Sequence, residues 1–290
     1  SNETYNTGPT PSLVSGGRIY RAMEYFRPPH RWGKDYEAML IHASIDADLL
    51  DPTSWTVSKS LAFDTKNWIP ASWGALTNPG FLEGNAVEGP DGSVLNVLRL
   101  NSEPVIGNKA VMTRFDPSTN SLRFERIIDL PGGHTKFVIR RHEPSKLYFT
   151  LSNNNTDAQY EDQRNVLCLC VSADLITWTI VKTLLEDDTG LSSGDSVRYT
   201  GFHYVDWQCT CSRSAFSSSS KIFSQSEEAA VHAASRRGRR YHLPDPHVLP
   251  RREQLPQLQP PDVQALAELP RDGDGSADPA HGRRPAPTAL

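Results

Sequence analysis

Residues 81–100, FLEGNAVEGPDGSVLNVLRL, constrain this chain more than any other stretch. They read as a β-hairpin: residues 85–88 are one strand, 89–92 the turn and 93–100 the second strand. Pro90 presets φ, and Gly92 accepts the positive φ that a tight turn needs. Glu83 and Glu88 flank the first strand and Arg99 closes the second. The start of one hairpin strand and the end of its partner share an edge, so Glu83 and Arg99 are expected to be neighbours.

The hairpin belongs to a recurring unit. Each copy runs hairpin, third strand, Ser/Asp-rich turn, aromatic residue, fourth strand. The first copy has its hairpin over residues 11–25, a third strand over 38–43, the turn SIDADLLDPTS over 44–54 and a strand over 55–61. The second adds strands over 110–115 and 122–128 around DPSTNS. The third has strands over 136–140, 146–151, 165–171 and 178–185, with SADLIT as its turn. Residues 201–207, GFHYVDW, read as the start of a fourth. The marker aromatics Trp55, Phe124 and Trp178 are spaced by roughly one four-stranded propeller blade. A β-sandwich is the rival architecture and predicts no such repeat.

Composition divides the chain. All six tryptophans precede residue 208, and only Phe216, Phe223 and Tyr241 follow it among the aromatics. Residues 209–290 hold ten prolines and runs of Ser and Arg, and read as a disordered tail beyond a folded region of residues 1–208. The strand signal stops inside the fourth copy, which reads as a frame-shifted segment; RRGRR at 236–240 is alternatively a basic patch. A net charge of −4 gives no basic field for nucleic acid. No apolar run is long enough to cross a bilayer, and no signal peptide is recognisable. No cofactor or membrane partner is expected.

Four cysteines form two C-x-C pairs, Cys168/Cys170 and Cys209/Cys211. Structural zinc prefers two to four intervening residues, and Cys168 and Cys170 alternate along an apolar strand as small buried hydrophobes. Asp187, Asp188 and Asp195 are a calcium alternative in a Gly/Ser loop, where solvated carboxylates are the ordinary case. No metal is assigned.

SADLITW resembles a degenerate Asp-box, the Ser-x-Asp-x-Gly-x-Thr-Trp turn of sialidases, one residue short and without the glycine. SIDADLLDPTSW is similar to a longer version. Together with RIYRAMEY, LEGNAVEGPDG, LPGGHTKFVIRR and GFHYVDW, residues 11–208 resemble the sialidase-like, six-bladed β-propeller glycoside hydrolases. The resemblance implies an all-β, partial propeller of about three to four four-stranded blades. It also implies hydrolysis of a terminal sugar of a glycan, sialic acid among the options, and slightly favours secretion. The Phe-Arg-Ile-Pro motif of sialidases is absent, and a full propeller needs more chain. A carbohydrate- or protein-binding propeller without catalysis is the alternative.

In a propeller, loops entering the innermost strand and leaving the second strand meet at one mouth of the channel. Glu83 and Asn85, His134 and Lys136, and His203 and Tyr204 enter; Glu24, Arg99 and Asn153 leave. Retaining glycosidases pair an acid/base with a nucleophile, which in sialidases is a Tyr assisted by a Glu. The resemblance thus implies Glu83 as a catalytic carboxylate, Glu24 as its partner and Tyr204 as nucleophile. Arg99 and Lys136 would hold an anionic or hydroxylated sugar, with His134, Asn85 and Asn153 lining the site. Glu83 paired with Arg99 is also a plain structural arrangement, and His134 a satisfied structural histidine. Trp68 and Trp73 lie in the long loop 64–80, where they either stack on sugar or pack locally.

Overall fold

A computed structural model describes residues 4–105 and 107–208 of the chain. The tail 209–290, with RRGRR, Cys209 and Cys211, lies outside the described residues. The rest is mostly β: successive antiparallel sheets, two of them four-stranded, that resemble propeller blades.

The first sheet holds β1 (Thr4–Asn6), β2 (Leu13–Ser15), β3 (Arg18–Phe26), β4 (Tyr36–Ser44), β5 (Thr56–Val57) and β6 (Leu61–Ala62). Both β1 and β2 pair with one edge of β3, and both β5 and β6 with β4, so the inner and outer strands are each split in two. The single strand expected over 55–61 is therefore interrupted. Ser58 exchanges hydrogen bonds with Leu40 through its amide and hydroxyl, and the next amide, Lys59, turns away to the Asn120 carbonyl. A helical turn, α1 (Thr65–Trp68), capped by Asp64, lies in the long loop.

The second sheet is β7 (Gly80–Glu88), β8 (Val94–Asn101), β9 (Lys109–Asp116) and β10 (Ser121–Asp129). The third is β11 (Val138–His142), β12 (Leu147–Asn153), β13 (Val166–Ser172) and β14 (Thr179–Glu186). Each is a plain meander. The Pro-Asp-Gly turn closes as expected: the Gly92 amide donates to the Gly89 carbonyl, and Asp91 accepts from Ser93. In the 172–178 turn Asp174 accepts from the amides of Ile176 and Thr177, and the Trp178 indole donates to the Leu175 carbonyl. Leu175 takes a left-handed conformation with φ of 67°, and its side chain is buried between the second and third sheets. Trp55 donates to the Leu49 carbonyl in the corresponding turn of the first sheet.

Neighbouring sheets pack face to face. Tyr20, Ala22, Ala38 and Leu40 meet Phe81, Leu98, Leu100 and Phe115. Val87, Val97, Met112 and Ile128 meet Phe137, Ile139 and Tyr148. Burying each of the Val, Leu, Ile, Met and Phe side chains among these stabilises by about 1.5–3 kcal/mol. Trp68 stacks on Phe124 at 4.4 Å between centroids and also faces Phe81, so it packs half-buried against the core.

Two expectations are corrected. Residues 201–207 form no strand: the segment is pinned by side chains, with Val205 and Trp207 buried against the far face of the third sheet. The Gly/Ser loop before it contains α2 (Ser193–Tyr199), capped by Ser192. Asp195 bonds within that cap, and Asp187 accepts from Thr189 and Ser196. Among the described residues no three His, Cys, Asp or Glu side chains gather as a metal site. Cys168 and Cys170 share one buried face of β13, and burial pushes the Cys170 thiol up to about 12.

Candidate functional site

The site begins with a bulge. The β7–β8 ladder pairs Leu82 with Arg99 and then Asn85 with Val97, so Glu83 and Gly84 together oppose Leu98. Glu83 has a positive φ of 51°. That conformation is unusual for a residue with a long side chain and marks a place where surrounding contacts fix the backbone.

The bulge carries Glu83 into contact with Arg99 from β8 and Tyr204 from the segment after α2. Arg99 Nη1 donates to Glu83 Oε2 at 2.6 Å, and the Tyr204 hydroxyl donates to Oε1 at 3.2 Å. Arg99 Nε donates to the His134 carbonyl at 2.9 Å, which joins the second sheet to the loop entering the third. Tyr204 is 48% exposed, with its hydroxyl turned to the buried Glu83. Burial and then the Glu83 charge raise its phenol above the ordinary range.

Glu24 lies beneath. Its side chain, from β3, is fully buried, with Oε1 accepting from the Gly84 amide at 3.2 Å and Oε2 from Asn6 Nδ2 at 3.2 Å. Burial, reinforced by the neighbouring Glu83 charge, lifts it to about 7. Glu24 thus lies behind Glu83 and, being fully buried, offers no surface to a sugar.

Lys136 and His134 come from the loop entering the third sheet, and both are buried. Lys136 Nζ donates to the Val205 carbonyl at 2.8 Å and is brought down to about 8 by burial. His134 Nδ1 faces the Leu100 carbonyl at 3.1 Å, and burial, then the Arg99 charge, bring the imidazole down to about 4. Asn85 and Asn153 join strands to loops. Asn85 accepts from the Ile139 amide and donates to the Phe137 carbonyl, and Asn153 donates to the Phe202 carbonyl. Trp73 stands apart from Glu83, packed on the first core cluster with Lys109 over its ring.

Three contributors have no sequence signal. Trp32 is 52% exposed and lies over the Arg99 guanidinium, 5.8 Å from ring centroid to Cζ. Its loop is held by a forked ion pair from Arg31 to Asp35, which lowers the buried Asp35 carboxyl to about 2. Arg164 shares a 3.1 Å contact with His203 Nδ1, and burial and then Arg99 push its guanidinium down. Tyr36 senses the charges of Glu24 and Glu83 and stacks on Phe26.

No family model and no curated protein matches the chain. Several solved structures are similar in fold. An exo-β-1,3-galactanase from Clostridium thermocellum aligns with a TM-score of 0.39 and 12% identity over 58% of this chain and 33% of its own. The GH43 β-1,3-galactosidase BT3683 aligns with a TM-score of 0.39 and 11% identity over 61% of this chain and 58% of its own. A sialidase from Trypanosoma rangeli gives 0.32 and 14% over 59% of this chain and 27% of its own. The chain thus spans about a third to three fifths of the two galactan- and galactoside-cleaving proteins. At these values the likeness lies in sheet architecture and assigns no chemistry.

Proposed function

We propose that Tyr204, Glu83 and Arg99 form the reacting end of a glycoside hydrolase site that cleaves the terminal sugar of a glycan. The observation that carries this reading is the hydrogen bond from the Tyr204 hydroxyl to a carboxylate whose other oxygen Arg99 holds. A phenol raised above its ordinary range does not ionise at neutral pH, so its proton must leave as the new bond forms. Tyr204 Oη attacks the anomeric carbon and Glu83 Oε1 takes the phenolic proton. The aglycone oxygen departs with a proton from solvent or an acid. Water then attacks the anomeric carbon and the glycosyl–tyrosine bond breaks; protonated Glu83 returns its proton to Tyr204 Oη, and the proton lost by the water goes to solvent in place of the one the aglycone took.

The cations favour an anionic sugar. Among the described residues, the partly buried Arg164 has no carboxylate within ion-pair distance and lies in the field of Arg99, whereas Lys136 is buried with its ammonium on the Val205 carbonyl. A sugar carboxylate or sulfate, sialic acid included, would complete Arg164. Trp32 offers a flat face for the apolar side of the ring.

Turnover of a chromogenic glycoside panel that includes sialosides tests this, with mass spectrometry of the Tyr204 peptide after exposure to fluorinated glycosides. Loss of turnover in Y204F and E83Q, and a glycosylated Tyr204 peptide, are expected. Wild-type turnover in Y204F would exclude the mechanism. The burial of Glu24 favours one second reading, a carbohydrate-binding propeller, because Glu83 then faces the sugar without a partner carboxylate from β3. Quenching of Trp32 fluorescence by a sugar that is never cleaved would select it.

A further inference from the structure

The bulge that carries Glu83 is gripped from the first sheet on both polar groups of Gly84. Its amide donates to Glu24 Oε1 at 3.2 Å, and its carbonyl accepts from Thr10 Oγ1 at 2.8 Å. Both gripping side chains are buried. Thr10 comes from the connection between β1 and β2, the break in the inner strand of the first sheet. Gly8, in the same connection, lies so close that an added Cβ would meet Glu83 Cβ at 2.8 Å. Asn6, at the end of β1, holds the second Glu24 oxygen. The split inner strand thus wraps the bulge, and a left-handed Glu83 persists because its successor is fixed at both ends.

We propose that Glu24 and Thr10 are positioning residues that aim the Glu83 carboxylate at Arg99 and Tyr204. The consequence for turnover rests on the function proposed above, whereas the aiming does not. Glu24 touches no sugar in this arrangement; it acts through the Gly84 peptide and through its charge. The ionisable groups that face it are Glu83 from β7 and Tyr36 from β4, with Arg99 and Tyr204 beyond Glu83. Proton loss from Glu24 near neutral pH therefore places a second negative charge behind Glu83, and the Tyr204 hydroxyl bonded to Glu83 registers it.

The test places 3-fluorotyrosine at position 204 of the full chain and follows its ¹⁹F resonance from pH 5 to 7.5, below the titration of Lys136 at about 8 and of the fluorophenol itself. In the otherwise unaltered chain the resonance titrates with a midpoint near 7. E24Q keeps an acceptor for the Gly84 amide without the charge, so it retains the low-pH resonance position and loses the step. T10V removes the grip on the carbonyl, and its resonance moves by at least about half the displacement that E83Q produces. A retained step in E24Q, or an unmoved resonance in T10V, overturns the proposal. E24Q is close to isosteric, and T10V acts from a different strand connection, so the outcome does not depend on one variant folding. If the chain proves to have no glycosidase activity, these resonances still decide whether Glu24 and Thr10 aim Glu83.

Discussion

Arg99 and Glu83 meet at 2.6 Å with their side chains only 3% and 9% exposed. A buried pair of this kind is poor evidence of stabilisation but fragile to loss of one member. R99M leaves Glu83 without its cation and is expected to destabilise by about 3–5 kcal/mol. R99M/E83L should recover a large part of that loss. Urea midpoints of the two variants check the ordering; equal losses would mean that water already solvates the pair.

Two buried groups give opposite pH slopes. Glu24 is raised from 4.5 to about 7, so the folded chain holds that proton more tightly than the unfolded one. Its contribution to stability is full below about pH 4.5, falls as pH rises toward 7 and is level above. His134 is lowered from 6.5 to about 4, so its contribution is full above pH 6.5 and is lost as pH falls toward 4. The difference in unfolding free energy between wild type and E24Q should therefore fall between pH 4.5 and 7, and that between wild type and H134Q should rise between pH 4 and 6.5. Denaturant titrations at pH intervals measure both slopes.

Trp32 is expected to matter for ligand and little for the fold, since it stands on the surface over Arg99. W32A should weaken binding of a recognised sugar by about 3–30-fold, in line with about 0.5–2 kcal/mol for an aromatic or cation–π contact, with the melting temperature unchanged. D35N loosens the Arg31 fork and should reproduce a part of that loss with Trp32 still present. Isothermal calorimetry on both variants separates platform from support.

Gly132 sits where the chain turns toward His134 and Lys136. Its φ is +73°, and an added Cβ would fall 2.3 Å from the Asn153 carbonyl oxygen, a backbone atom that cannot step aside cheaply. G132A should destabilise by about 2–4 kcal/mol, from unfavourable φ together with overpacking. A melting curve close to wild type would show that this loop relaxes freely.

The hairpins were legible because Pro-Asp-Gly and Gly-Gly turns separate alternating apolar runs, and the Glu83–Arg99 neighbourhood followed from hairpin geometry alone. The bulge was not legible, because propensity argues against a glutamate in the left-handed region; only the adjacent Gly84 hinted at it. Trp32 over Arg99 and Arg164 beside His203 depend on loops from different sheets, and local pattern carries no information about such meetings. Local pattern left Trp68 open between stacking on sugar and packing, and aromatic neighbours from the second sheet draw it inward. Residues 201–207 alternate like a strand, but contacts with the third sheet and its entry loop hold them instead: Lys136 donates to the Val205 carbonyl, and the segment's own Trp207 indole donates to that of Val138.

That anchoring has a temporal side. Tyr204 reaches Glu83 across 121 positions of sequence, and the peptide bearing it docks on a sheet that must already stand. During synthesis the first two sheets can close while the phenol is still unmade, so the constellation is finished late by an arriving strap. A single proteolytic cut in the exposed stretch 188–192 would sever the covalent link between the third sheet and the segment that carries Tyr204, leaving the phenol held only by noncovalent contacts, those of Val205 and Trp207 among them.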